Sequence, residues 1–80
     1  MLTVRQKAIQ GFIVRFQRVN GFAPTIQEIM VDSGLASLSS VVYQLDQLQE
    51  KGYITRAAAS ARSIRVLLTV NGKGIHHGNS

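Results

Sequence analysis

Two threonines, each standing three residues ahead of a long amide or carboxylate side chain, do most to restrict how this chain can fold. In Thr3-Val4-Arg5-Gln6 and in Thr25-Ile26-Gln27-Glu28 the hydroxyl can accept from the backbone N–H three residues on, while the Gln or Glu reaches back to the threonine N–H. Each pair satisfies two of the donors that a helix start leaves without intrahelical partners, so a helix is expected to begin at each. Asn20-Gly21 ends the first helix, and Asp32-Ser33-Gly34 stops the second after roughly two turns. Between them Phe22-Ala23-Pro24 forms a loop whose proline blocks continuation from upstream.

Apolar spacing fills in the rest. Ile9, Phe12, Ile13 and Phe16 recur at helical intervals and define a buried stripe, with Arg5, Lys7, Arg15 and Arg18 outside it. Ile26, Ile29 and Met30 give the second helix its inner edge, and Leu35 packs back. A third helix opens in the run 36–40 with Leu38, Val41, Val42, Leu45 and Leu48 as its stripe, and Lys51-Gly52 closes it. Beyond Gly52 the period falls to two: residues 53–56 and 63–67 read as the strands of a β-hairpin with a loose tip. The expected fold is mainly α with a small β-hairpin, a three-helix winged helix-turn-helix over residues 1–70. Residues 71–80, rich in glycine and without periodicity, are expected to be a disordered tail.

Eighty residues accommodate one small domain, which buries only about 60% of the surface its unfolded chain exposes. Cysteine is absent, so disulfides and thiolate metal clusters are excluded and stability falls to the apolar core. No apolar run reaches the ~18 residues of a membrane span and no signal peptide is legible, giving the expectation of a cytoplasmic chain without a membrane partner.

Nine Lys and Arg against four Asp and Glu give a net charge of +5. The acids Glu28, Asp32, Asp46 and Glu50 all lie between a basic group ending at Arg18 and another beginning at Lys51. A basic balance favours a polyanionic partner, the plainer alternative being a solvated basic surface. Catalysis is not expected, because no glycine-rich phosphate loop is present and the acids have no histidine in the folded region to work with. His76 and His77 lack a third ligand, so neither metal nor cofactor is expected.

A short helix, a tight glycine-containing turn and a longer helix followed by a hairpin are the parts of a winged helix that docks double-stranded DNA. In the third helix Ser37, Ser39, Ser40, Tyr43, Gln44 and Gln47 are uncharged groups able to meet base edges, while Arg62 and Arg65 of the wing and Lys7 of the first helix suit phosphates. Each has a structural alternative. Ser37 is favoured as the N-cap, Ser39 and Ser40 could fill a first turn, Tyr43 could cover the core edge, and Gln44, Gln47 and the basic residues could be solvated.

The run Pro24-Thr25-Ile26-Gln27-Glu28-Ile29, then Gly34-Leu35-Ala36-Ser37, Val41, Leu45 and Leu48, Lys51-Gly52-Tyr53-Ile54, and Arg62-Ser63-Ile64-Arg65-Val66-Leu67 resembles the N-terminal DNA-binding domain of the LexA repressors over about residues 3–68. The resemblance implies repression of DNA-damage response genes through a paired operator, with the third helix in the major groove, the wing on the backbone and a homodimer on an inverted repeat. The family's self-cleaving second domain has no room in 80 residues, so self-cleavage is not carried over, and a small phage or mobile-element regulator is expected. Val42 and Tyr43 stand where family members often place polar or charged base-contacting groups. They also suit the rival reading, an antirepressor-like winged helix that binds a host regulator or polymerase through an exposed apolar patch.

Asp46 and Glu50, like charges at i and i+4 near a helix C-terminus, are locally unfavourable. Either a basic side chain such as Arg15 or Arg56 approaches them, or their charge repels phosphate and sets which end of the helix enters the groove. The second explanation is preferred on sequence grounds.

Overall fold

Both expected caps form. In the computed structural model, described over residues 2–57 and 60–67, α1 spans Val4–Asn20, α2 Ile26–Ser33 and α3 Leu38–Glu50. Thr3 Oγ1 accepts from Gln6 N at 3.1 Å while Gln6 Oε1 accepts from Thr3 N at 3.1 Å. Thr25 and Glu28 repeat the exchange at the head of α2, at 3.1 and 2.8 Å. Gly34 ends α2 with φ of 75°, a left-handed conformation that costs a side-chain-bearing residue, and its N–H donates to Met30 O. That turn lets Ser37 cap α3, its hydroxyl accepting from Ser40 N at 3.2 Å.

The helices enclose one core. Ile9 and Ile13 of α1, Ile29 of α2, and Val41, Leu45 and Leu48 of α3 are fully buried, each burial worth about 1.5–3 kcal/mol. Beneath them lie Ile54 of β1 (Ile54–Thr55) and Val66 of β2 (Arg65–Val66), an antiparallel pair in register Ile54 to Val66 and Thr55 to Arg65. Packing of α1 with α2, α2 with α3, α3 with β1 and α1 with β2 closes the domain. Three helices and a two-stranded sheet in this order make a mostly helical winged helix-turn-helix.

Several expectations need correction. The strands are shorter than their alternating pattern. Leu67 N still donates to Tyr53 O at the base of the hairpin. Toward the tip, however, the Ser63 hydroxyl accepts from Ala57 N and donates to Ala57 O, so a side chain takes the place of the next ladder rung. Phe12 and Phe16 are half-buried rather than central, their rings tilted 58° to each other with centroids 5.6 Å apart. Leu38 is 44% exposed and Val42 half-buried, so only Val41, Leu45 and Leu48 of the expected α3 stripe reach the core. Gln6 and Gln10 of α1, although polar, are buried. The expected tail at 71–80, with Lys73, His76 and His77, lies outside the described residues. Among the described residues no helix is long and apolar enough to cross a membrane.

Candidate nucleic-acid interface

The burial pattern of α3 separates two kinds of candidate. Val41, Leu45 and Leu48 face the core, which leaves Ser39 and Tyr43, one helical turn apart, on the outward face. Tyr43 is 60% exposed, so its ring does not cover the core edge. Ser40, Gln44 and Gln47 fall on the half-buried flank. There Gln44 Oε1 accepts from Gln6 Nε2 of α1 at 3.3 Å, and Gln6 Oε1 accepts from Lys51 Nζ at 2.9 Å. Gln44 is therefore tied to the first helix, while Ser39 and Tyr43 project from the surface.

At the start of α3 the three serines form a hydroxyl cluster. Ser37 Oγ lies 3.1 Å from Ser39 Oγ and 3.0 Å from Ser40 Oγ, in addition to capping Ser40 N. Ser37 thus holds the helix start, the role favoured for it from sequence, and orients the hydroxyls beside it.

A groove runs between the start of α2, the first turns of α3 and the wing, with Ile26, Leu38, Val42 and Ile64 among its apolar walls and Arg56 and Arg62 on its wing side. Arg62 is not a loosely solvated wing arginine. Its Nη1 and Nη2 reach Glu28 Oε1 and Oε2 at 2.9 and 3.0 Å, and Nη1 also donates to Ala23 O at 3.0 Å. The guanidinium carbon sits 4.6 Å from the centroid of Phe22, within the range of a cation–π contact. The backbone of Arg62 is left-handed, φ 58°, a conformation unfavourable for arginine.

Glu28 joins two structures: one oxygen caps α2 through Thr25 N, and both oxygens hold the wing. The Arg62 hydrogen bonds, with those of Thr25, hold its carboxyl below the usual glutamate range against the opposing effect of desolvation. Of the phosphate candidates Arg65 is exposed on β2 and Lys7 exposed on α1.

The acids of α3 also find an explanation. Arg56 Nη2 lies 3.3 Å from Asp46 Oδ1, with the arginine side chain 11% exposed and the carboxylate 61%. Asp46 has a basic partner, so the preference for electrostatic steering gives way at that residue. Arg56 is one of the two basic partners that the sequence offers for the α3 acids, whereas Glu28 as the holder of the wing was missed, because its partner Arg62 lies 34 residues away in the chain. Leu38 and Val42 sit at the margins of the apolar stripe, and that marginal position was the available signal that they leave the core.

Comparison with known proteins places the whole arrangement. The family model described as LexA DNA binding domain matches residues 1–63. The LexA repressor of Pseudarthrobacter chlorophenolicus is 48% identical over 73 residues, covering 89% of this chain and 29% of that protein. That of Pelotomaculum thermopropionicum is 42% identical over 66 residues, covering 82% and 32%, and that of Staphylococcus aureus is 39% identical with the same coverage. The chain spans about a third of the length of these curated relatives.

Proposed function

The chain belongs to the LexA DNA-binding domain family, and from that premise we propose that it is a sequence-specific binder of double-stranded DNA that regulates transcription as a repressor. In this reading α3 enters the major groove and presents Ser39 and Tyr43 to base edges, while Arg65 and Lys7 meet phosphates. The observation that carries it is the division of α3 into a buried face that builds the core and an outward face, beside a basic wing, that stays out of the core. Two copies on an inverted repeat, each reading one half-site, are the proposed mode of operator binding, and the site of action is the cytoplasm. The chain acts by binding rather than by catalysis.

Selection of bound duplexes from a random pool tests this reading. Enrichment of a common sequence is expected, and an inverted repeat within it would report pairing. Affinity should fall steeply with salt as phosphate contacts displace counterions, and Arg65→Ala should weaken all duplexes alike while lowering the salt slope by about one unit. An unchanged slope would remove the wing from the backbone.

The exposed Tyr43 and Leu38, with half-buried Val42 between them, favour a second reading, a protein-binding winged helix that engages a host regulator or polymerase. Absence of salt-sensitive duplex binding, with retained folding, would select it.

A further inference from the structure

We infer that α3 reads thymine, through the C5 methyl group that thymine alone of the four unmodified bases presents in the major groove. The inference rests on the DNA-binding reading above and narrows it to a class of half-site.

Each base edge calls for its own side-chain chemistry. Guanine is read by Arg or Lys, adenine by Asn or Gln, the cytosine amino group by Asp or Glu, and the thymine methyl by apolar contact. α3 contains no Arg, Lys or Asn. Of its glutamines, Gln44 is bonded back to Gln6, Gln47 is half-buried, and Gln49 stands in the last turn, far from the end that a recognition helix inserts. Of its acids, Asp46 is engaged by Arg56 and Glu50 is the final residue.

What the first turns of α3 do offer is exposed Leu38, Ser39 and Tyr43, with half-buried Val42 between them. A leucine 44% exposed at the head of a helix and a half-buried valine opening on the same groove keep apolar surface that the core does not cover. Against methyl groups in a major groove they gain what burial of apolar surface supplies. Their spacing suits the task. Four residues of helix rise about 6 Å, close to two base-pair steps of about 3.4 Å, so Leu38 and Val42 can meet methyls on different base pairs. The hydroxyls of Ser39 and Tyr43, on the neighbouring row, are left for adjacent donors and acceptors of either kind.

The test replaces every thymine of an enriched duplex with deoxyuridine, which keeps the pairing and the O4 acceptor and removes only the methyl. Removing one methyl that α3 touches should weaken binding about fourfold, the equivalent of about 0.8 kcal/mol per buried carbon at about 1.4 kcal/mol per tenfold. Two such methyls together give roughly 15-fold, while affinity for random duplex stays the same with either base. Leu38→Ala and Val42→Ala, checked for folding by circular dichroism, should each narrow the thymine-to-uracil ratio about fourfold. Equal affinity for the two duplexes overturns the inference. So does a ratio that both variants leave intact, since the methyls would then act through duplex shape. If no duplex is enriched over random DNA, the DNA-binding reading itself falls and the inference goes with it.

Discussion

Replacing Gln6 with methionine removes a buried polar hub at nearly constant volume, so the result is not confused by a cavity. The residue is 4% exposed, and its side chain serves Thr3 N at 3.1 Å, Lys51 Nζ at 2.9 Å and Gln44 Oε1 at 3.3 Å. The cap bond is worth about 1 kcal/mol. The Lys51 bond is worth about 0.5 kcal/mol, because the exposed ammonium recovers water when its acceptor goes. The longer Gln44 bond adds about 0.5 kcal/mol. Against this, methionine gains roughly 0.5–1 kcal/mol from placing apolar atoms in a buried site. The net expectation is a destabilisation of about 1–1.5 kcal/mol, which in a domain of this size lowers Tm by roughly 5–10 °C. Equilibrium urea unfolding should show a reduced midpoint with an unchanged slope. A double-mutant cycle with Lys51→Met should return a coupling of about 0.5 kcal/mol. A midpoint at or above the parent's would refute the reasoning, showing that the network is held for something other than stability.

Five further substitutions, at Arg62, Glu28, Asp46 and Glu50, probe the wing and the rear of α3. Arg62→Gly and Arg62→Ala both remove the hydrogen bonds to Glu28 and Ala23, but only glycine relaxes the φ of 58°, so the glycine variant should be the more stable by about 1 kcal/mol in thermal unfolding; equal stabilities would show that the left-handed backbone carries no strain. The lowered carboxyl of Glu28 contributes stability that is present above the ordinary glutamate value of 4.5 and is lost as pH falls through its own lower native value. Glu28→Gln should therefore be less stable than the parent near neutral pH and converge with it on acidification, and a gap that stays constant down to the most acid pH would contradict the assignment. Asp46→Asn should lower stability by about 0.5–1 kcal/mol by stripping a largely buried Arg56 of its partner, whereas Glu50→Gln should be neutral or slightly stabilising at a helix C-terminus. If Asp46→Asn costs nothing and raises non-specific DNA binding, electrostatic steering is restored.

Local features were legible in the sequence and distant ones were not. The Thr3 and Thr25 caps, the Gly34 turn and the N-cap at Ser37 depend on residues within four of one another, and the structure contains each. The same short range explains why Ile29, Val41 and Leu45 were identifiable as core from spacing alone. Arg62 reads as a wing arginine because nothing near it in sequence announces Glu28 or Phe22; its surroundings exist only once α2 and the wing are folded together. Gln6 shows a half-success: its capping bond follows from the sequence, but its burial and its ties to Gln44 and Lys51 depend on where α3 lies. The hairpin is foreshortened for a reason that alternation cannot express, since the Ser63 side chain intercepts the hydrogen bonds of the next rung. Family resemblance supplied what spacing could not, membership of a DNA-binding family, and the match over residues 1–63 bears that out.

In the proposed DNA-reading role, the two faces of α3 have a consequence for how the targets can change. Residues that hold the domain together, Val41, Leu45 and Leu48, alternate with Ser39 and Tyr43, which take no part in the core. Substitutions at exposed positions of this kind usually shift stability by less than about 0.5 kcal/mol, so the outward row can be rewritten letter by letter while the protein stays folded at every step. The wing tip has the opposite character, because Glu28 caps a helix and holds Arg62 with the same carboxylate, and neither residue can drift alone. Retargeting of this scaffold, by mutation in a genome or by a library in the laboratory, is thus channelled onto one strip of one helix.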